Sequence, residues 1–509
     1  MRYGWILASI LLFLMPAAPM SAQVNTLSAE PAWVPEFIEQ DCTESAPYNF
    51  DMTCGILRVP ENRNNPNSAI IELAVVIVQT RSENPQPDPI VYLVGGPGGS
   101  IVRSATNFFS SNMIPFAHQR DIIFFDQRGT GLSQPNLQCD GVINIALNAL
   151  TEGYDADVEL RRSRYASMLC SQQYLEMDVD VSAYTTANNA ADLDDLRLAL
   201  GYDSWNLFGV SYGTRLALTA MRDYPEGIRS VVLDSVYPAQ VNLFTDYIAN
   251  ALRALDVLFA GCAADTACQV DYPDLEATFY QLYEQFNTDP QTIVLSSLRG
   301  DSIRVVLSGD RLFDWVFNWM YSVDNIENIP RWLYEIADGN YDSAVRAGIR
   351  QELRVYNIAH GMYQAVQCYD EMSFTTPDDF IHLRDDYPQF VSLLSRNMLL
   401  NEAVIDVCLD WQPVAADDLE NVAIASDIPT LLLAGEYDPI TPPAWAHLAA
   451  ATLDNSYVVD VPGVGHAVAF SSWCGKQIAT HFFDQPDVEP DDMCLQSAPT
   501  PTFARARAR

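Results

Sequence analysis

A chain of 509 residues exceeds one ordinary hydrophobic core and calls for either a large domain with a substantial insertion or two domains. Apolar residues make up 49% of it, which excludes a disordered chain. The formal net charge of −38, with only 28 lysines and arginines, excludes nucleic acid as a partner, since nothing here could neutralise a run of phosphates.

In chain order, Arg2 precedes an apolar run over residues 6–15, followed by small residues up to Ala22. That run is about half the ~20 residues a membrane-spanning helix needs. Residues 1–22 are therefore expected to be a cleaved signal peptide, making the protein secreted or periplasmic. No other segment reads as long and apolar enough to span a bilayer. The ten cysteines lack Cys-x-x-Cys spacing and suit that compartment as disulfides. Sequence does not fix their connectivity; the simplest arrangement pairs chain neighbours, Cys42–Cys54, Cys139–Cys170, Cys262–Cys268, Cys368–Cys408 and Cys474–Cys494.

Short runs rich in Val, Ile and Leu at 70–78, 90–94, 122–125, 205–208, 231–233, 431–434 and 457–461 are predicted strands. Most are continuous rather than alternating, as expected of parallel strands covered on both faces. Helical sequence lies between several of them, at 192–200 and 214–224 for example, so the class is α/β. Residues 241–426 break the alternation with amphipathic, aromatic-rich stretches at 251–260, 312–321 and 349–366, and with a hairpin at 292–307 around Gly300-Asp301. The expected organisation is an α/β core over 30–240, a mainly helical cap over 241–426, the rest of the core over 427–497 and a disordered tail over 498–509. Such a cap would sit over the C-terminal edge of the sheet, where open α/β folds bind ligands.

Gly209-Val210-Ser211-Tyr212-Gly213 lies between a predicted strand and a predicted helix. There the pattern describes a serine on a tight turn, its hydroxyl pushed out toward a base. A serine hydroxyl needs that base, and the base needs a third group to hold its tautomer. Of six histidines, His466 follows the strand at 457–461 on a glycine-rich loop, while His360 and His447 lie in helical sequence. Asp438 follows the strand at 431–434, giving the chain order Ser, Asp, His. Asp234 is the alternative acid, with a turn-capping role the preferred reading. Gly95-Gly96-Pro97-Gly98-Gly99-Ser100 follows another strand. Pro97 has no N–H to give, so the amides of Gly96 and Tyr212 are the expected oxyanion donors. No Gly-Lys-Ser/Thr follows that loop, which argues against a phosphate cradle. In Asp126-Gln127-Arg128-Gly129-Thr130-Gly131, Arg128 is expected to make a structural ion pair. The paired aspartates lack calcium-loop spacing, so no metal or other cofactor is called for.

Together these segments resemble the prolyl and tripeptidyl aminopeptidase group of secreted α/β-hydrolases. The likeness continues through Gly435-Glu436-Tyr437-Asp438-Pro439-Ile440-Thr441-Pro442, Pro462-Gly463-Val464-Gly465-His466 and the cysteines Cys474 and Cys494. It departs at Val94-Gly95-Gly96, where many relatives have His-Gly-Gly. The resemblance implies a serine exopeptidase acting on short peptides or peptide N-termini, with a cap carboxylate to hold the substrate ammonium. Asp370 or Glu371, just after Cys368, matches the position at which relatives carry such acids. A carboxylic-ester hydrolase using the same three residues is the alternative, and an inactive hydrolase fold used for binding is the third reading.

Overall fold

A computed structural model describes residues 33–152, 156–296, 302–353, 357–411, 415–497 and 501–506. The expected signal at 1–22 and the hairpin tip at Gly300-Asp301 lie outside these. The strands are β1 (Glu36–Gln40), β2 (Met52–Pro60), β3 (Ile70–Val78), β4 (Ile90–Leu93), β5 (Ile122–Phe125), β6 (Trp205–Val210), β7 (Ile228–Asp234), β8 (Gln291–Ser296), β9 (Ser302–Leu307), β10 (Thr430–Gly435) and β11 (Ser456–Val461). Nine of them form one sheet in the order β1-β2-β3-β5-β4-β6-β7-β10-β11. From β5 through β11 every pairing is parallel, while β1, β2 and β3 join antiparallel at one edge. This is the α/β-hydrolase fold. β4, β5, β6 and β10 are buried along their whole length, because helices cover both faces and no position is left for a polar residue facing water. The residues from Pro35 onward form one compact unit.

Two strands escape the sequence reading. β1 carries Glu36, Glu39 and Gln40 on an exposed edge, and β2 is half-buried with Gly55 and Pro60 inside it. Charge on an edge strand deters pairing with other chains and also hides the strand from an apolar-run criterion.

Between β7 and β10 the chain is helical apart from the β8–β9 hairpin. Its helices pack on a cluster that includes Leu258, Phe279, Trp315, Trp319 and Leu333. The stretch at 349–366, expected as one amphipathic segment, divides into the helices Asp342–Glu352 and His360–Asp370. Residues 357–359 between them turn aside to meet the loop after β4: Ala359 N–H donates to the Gly98 carbonyl at 2.8 Å, and Gly99 pairs with Ile358. The helices Asp140–Glu152 and Ala156–Glu176, which lie between β5 and β6, pack against this block as well.

Three expectations need correction or completion. The helix Tyr247–Ala264 is long and apolar enough to cross a membrane, contrary to the reading that no segment beyond the N-terminus is. Its Ile248, Ala251, Leu255, Leu258 and Phe259 are buried in the helical cluster, so its apolarity serves packing here. Within the tail expected to be disordered, residues 501–506 are placed: Phe503 is buried, Ala504 N–H donates to Glu327 O, and Arg505 pairs with Asp271 at 2.6 Å. Residues 498–500 and 507–509 lie outside the described residues. All five disulfides join chain neighbours as the simplest pairing has them.

Candidate active site

Ser211 stands between β6 and the helix Tyr212–Asp223 with φ 58° and ψ −127°, a strained conformation for a residue with a side chain. The turn is so tight that a Cβ on Gly213 would lie 2.0 Å from Leu93 O, and one on Gly209 2.4 Å from Gly213 O. Only glycine fits either position. The strained backbone is held by hydrogen bonds, Ser211 N–H to Asp234 O at 3.0 Å and Thr214 Oγ1 to Ser211 O at 2.6 Å.

Asp438 and His466 reach the same edge from the ends of β10 and β11. Asp438 is fully buried, and its Oδ2 lies 2.8 Å from His466 Nδ1. Its Oδ1 accepts from the amides of Ile440 and Thr441, each at 3.0 Å, and Thr441 Oγ1 donates to Oδ2 at 2.7 Å. Burial alone would raise this carboxyl, but the imidazole and these hydrogen bonds hold it below the ordinary carboxylate value. Burial pulls His466 down, and Asp438 more than offsets it, leaving the ring above the ordinary imidazole value. With Nδ1 engaged, Nε2 is the nitrogen left for a reacting proton. Ser211 and His466 face one cavity of about 830 Å³ without a direct hydrogen bond, a looseness common in unliganded hydrolytic sites.

Asp234, the alternative acid, accepts from the amides of Val468 and Ala469 at 2.7 and 2.8 Å. It caps the short helix behind His466 instead of touching the imidazole, and burial raises it to about 6.

Gly95 and Gly96 line the cavity beside Ser211. Gly96 has φ 128°, and a Cβ on Gly95 would lie 2.8 Å from that of the serine, so this loop approaches Ser211 backbone-first. The Tyr212 amide opens the helix directly after Ser211. The loop after β5 steadies the arrangement: Gln127 Nε2 donates to Val94 O at 2.9 Å, and Asp126 accepts from the amides of Ile101, Val102 and Leu132. Arg128 makes a two-pronged, fully buried pair with Asp192, both bonds at 2.7 Å, which is a structural role.

Comparison with known proteins matches residues 88–301 to the alpha/beta hydrolase fold family and residues 395–494 to the TAP-like protein family. The chain is an α/β-hydrolase with a TAP-like C-terminal segment. Serine protease Hip1 of Mycobacterium tuberculosis is 23% identical over 441 residues, 82% of each chain. Tripeptidyl aminopeptidase of Streptomyces coelicolor is 32% identical over 231 residues, 44% of this chain and 41% of that one. A probable proline iminopeptidase of the same organism is 29% identical over 170 residues, covering 33% and 39% respectively.

The cavity is lined on its remaining walls by side chains that the sequence reading did not single out. Tyr247, Arg311, Asp314, Tyr321 and Glu352 line it from the inserted helices, and Glu159 lines it from the helix Ala156–Glu176. Glu352 pairs with Arg311 at 3.2 Å and Glu159 with Arg396 at 3.0 Å. Asp314 has no salt-bridge partner among the described residues. Burial and the nearby charges of Asp310 and Glu352 push it up to about 8. The only sequence signal was an acid within the aromatic run at 312–321.

Asp370 and Glu371, expected to face the substrate, do not line this cavity and are not in solvent either. Both are buried around Arg215 of the helix Tyr212–Asp223. Arg215 Nη1 donates to Glu371 Oε1 at 2.5 Å and Nη2 to Asp370 O at 3.0 Å, while Tyr237 O–H donates to Glu371 and Thr186 O–H to Asp370. Both oxygens of Glu371 and Oδ2 of Asp370 are engaged by the protein, while Asp370 Oδ1 is buried without a hydrogen-bond partner among the described residues. Because neither acid lines the cavity, the expectation is corrected, and these acids fasten the helix His360–Asp370 to the core.

Proposed function

We propose that this α/β-hydrolase is an exported serine exopeptidase that removes short peptides from free N-termini. The observation that carries the reading is a single cavity holding Ser211 and a His466 bonded to buried Asp438 at one end, with Asp314 among its other walls. In the reaction, Ser211 Oγ attacks the scissile carbonyl as its proton passes to His466 Nε2, and Asp438 stabilises the imidazolium. The amides of Gly96 and Tyr212 hold the oxyanion. His466 then gives its proton to the leaving amine; water next attacks the acyl-enzyme carbonyl as its proton passes to His466, which returns it to Ser211 Oγ as the ester bond breaks and the acid product leaves. The loop ahead of Gly96 lacks the histidine of many relatives, but that residue takes no part in these steps.

Asp314 takes the substrate-ammonium role first assigned to Asp370 or Glu371. It is a cavity carboxylate with no arginine in salt-bridge contact among the described residues, although Tyr247 hydrogen-bonds to it and Arg396 lies near enough to favour its charge. An incoming ammonium favours its charged form further. It stands seven positions before Tyr321, whose ring lies 4.8 Å from that of His466. The printed name of the Streptomyces relative supports tripeptide release over single-residue release.

The test compares a tripeptide anilide bearing a free N-terminus with its N-acetylated form, and Asp314→Asn with the unmodified protein. A free-terminus preference lost in Asp314→Asn, with KM raised about a hundredfold, is expected. Equal turnover of the two substrates would leave a hydrolase of blocked peptides or esters.

A further inference from the structure

We propose that Tyr321 is a positioning residue for His466, favouring the imidazolium that forms during turnover; this rests on the serine-hydrolase reading above. Tyr321 follows the helix Gly309–Trp319 of the inserted block, far in sequence from all three proposed catalytic residues. His466 N–H donates to Tyr321 O at 3.1 Å. The two rings lie 4.8 Å apart between centroids at 49°, close enough for the face of the phenol to meet a charged imidazole. A Cβ on Gly465 would fall 2.0 Å from Met320 O, so the histidine loop and this turn touch backbone to backbone. Phe317 packs edge-on against Tyr321 at 5.8 Å and limits the ring's freedom.

The groups facing His466 can be named from each neighbouring element. Asp438 bonds Nδ1, Thr441 Oγ1 lies 3.2 Å from the same nitrogen, Asp234 is buried behind the following turn, and Ser211 stands across the cavity. Asp438 holds the ring from the core side, and the charge of Asp234 acts on it without contact. Tyr321 is the aromatic face on the other side, supplied by the insertion. The helix just before Tyr321 presents Asp314 to the cavity, so a helix and the turn that ends it carry both the contact to the base and the group proposed to receive the substrate ammonium.

The experiment follows the His466 ring by NMR titration, assigned with His466→Gln, beside the pH profile of kcat/KM on a free-terminus tripeptide anilide. Tyr321→Leu removes the ring, Tyr321→Phe keeps it, and Tyr321→Trp strengthens the aromatic face. The expected result is a ring pKa and acidic limb that fall together by about half a unit in Tyr321→Leu. Alongside it, kcat is expected to fall about fivefold with a smaller change in KM. Tyr321→Phe restores both, and Tyr321→Trp moves the ring pKa upward. A ring pKa unmoved across the variants would overturn the proposal, and Tyr321→Trp alone decides the matter if Tyr321→Leu does not fold. Failure of the underlying reading looks different: Ser211→Ala would then cleave the anilide at the unmodified rate.

Discussion

Ser211 sits in a backbone conformation that costs energy, and the surrounding glycines exist to make room for it. Such strain is tolerated where it exposes a reacting atom. Ser211→Ala is expected to abolish hydrolysis while leaving the melting temperature close to unchanged. Asp438→Asn keeps the shape but removes the charge that raises His466, and kcat should fall by about 10³–10⁴ in steady-state assays. Because His466 is held above the ordinary imidazole value and acts only when neutral, activity should be lost as pH falls through a midpoint above about 6.5. The positions of these residues were legible because each follows a short apolar strand on a loop marked by Gly or Pro. Asp314 and Tyr321 were not, since an amphipathic helix does not say which of its neighbours will be a cavity.

Elements, not single side chains, join the inserted helices to the catalytic edge. Ala359 holds the loop after β4, Tyr321 holds the loop after β11, and Arg253 Nη1 donates to Glu436 O at 2.5 Å on the loop after β10. Arg215 fastens the helix after Ser211 to Asp370 and Glu371 in the same way. Arg215→Ala strands Glu371 without its cation and should lower unfolding free energy by about 3–5 kcal/mol in urea titrations. The central strands were readable as continuous apolar runs. The break between Glu352 and His360 was not, because it exists to reach Gly98, a contact that no local pattern encodes. Arg215 was missed for a similar reason: its partners arrive from more than 150 positions away.

At the scale of the whole molecule, a net charge of −38 is combined with several carboxylates that burial raises. Asp195, Asp234 and Asp370 stand at about 6, Glu371 at about 7 and Asp314 at about 8. Each keeps its proton in the folded state at a pH where the unfolded chain has lost it, so stability falls as pH rises from about 4 to 8. His466, also raised, loses its stabilising contribution in the same direction, whereas depressed Asp438 weakens the fold only below the ordinary carboxylate range. The melting temperature should therefore be higher at pH 5 than at pH 8, and salt should recover part of the difference by screening like charges. The broad division into sheet and helical insertion was legible from composition along the chain. The share of the cavity wall contributed by Glu159, on a helix assigned to the core, was not. What unites these scales is the proposal of a nucleophile at Ser211, and one measurement addresses it directly: the protein is treated with a fluorophosphonate, digested, and the modified peptide identified by mass spectrometry. A single adduct on Ser211, lost in His466→Gln, is predicted; an unlabelled protein, or an adduct on another residue, would contradict the account.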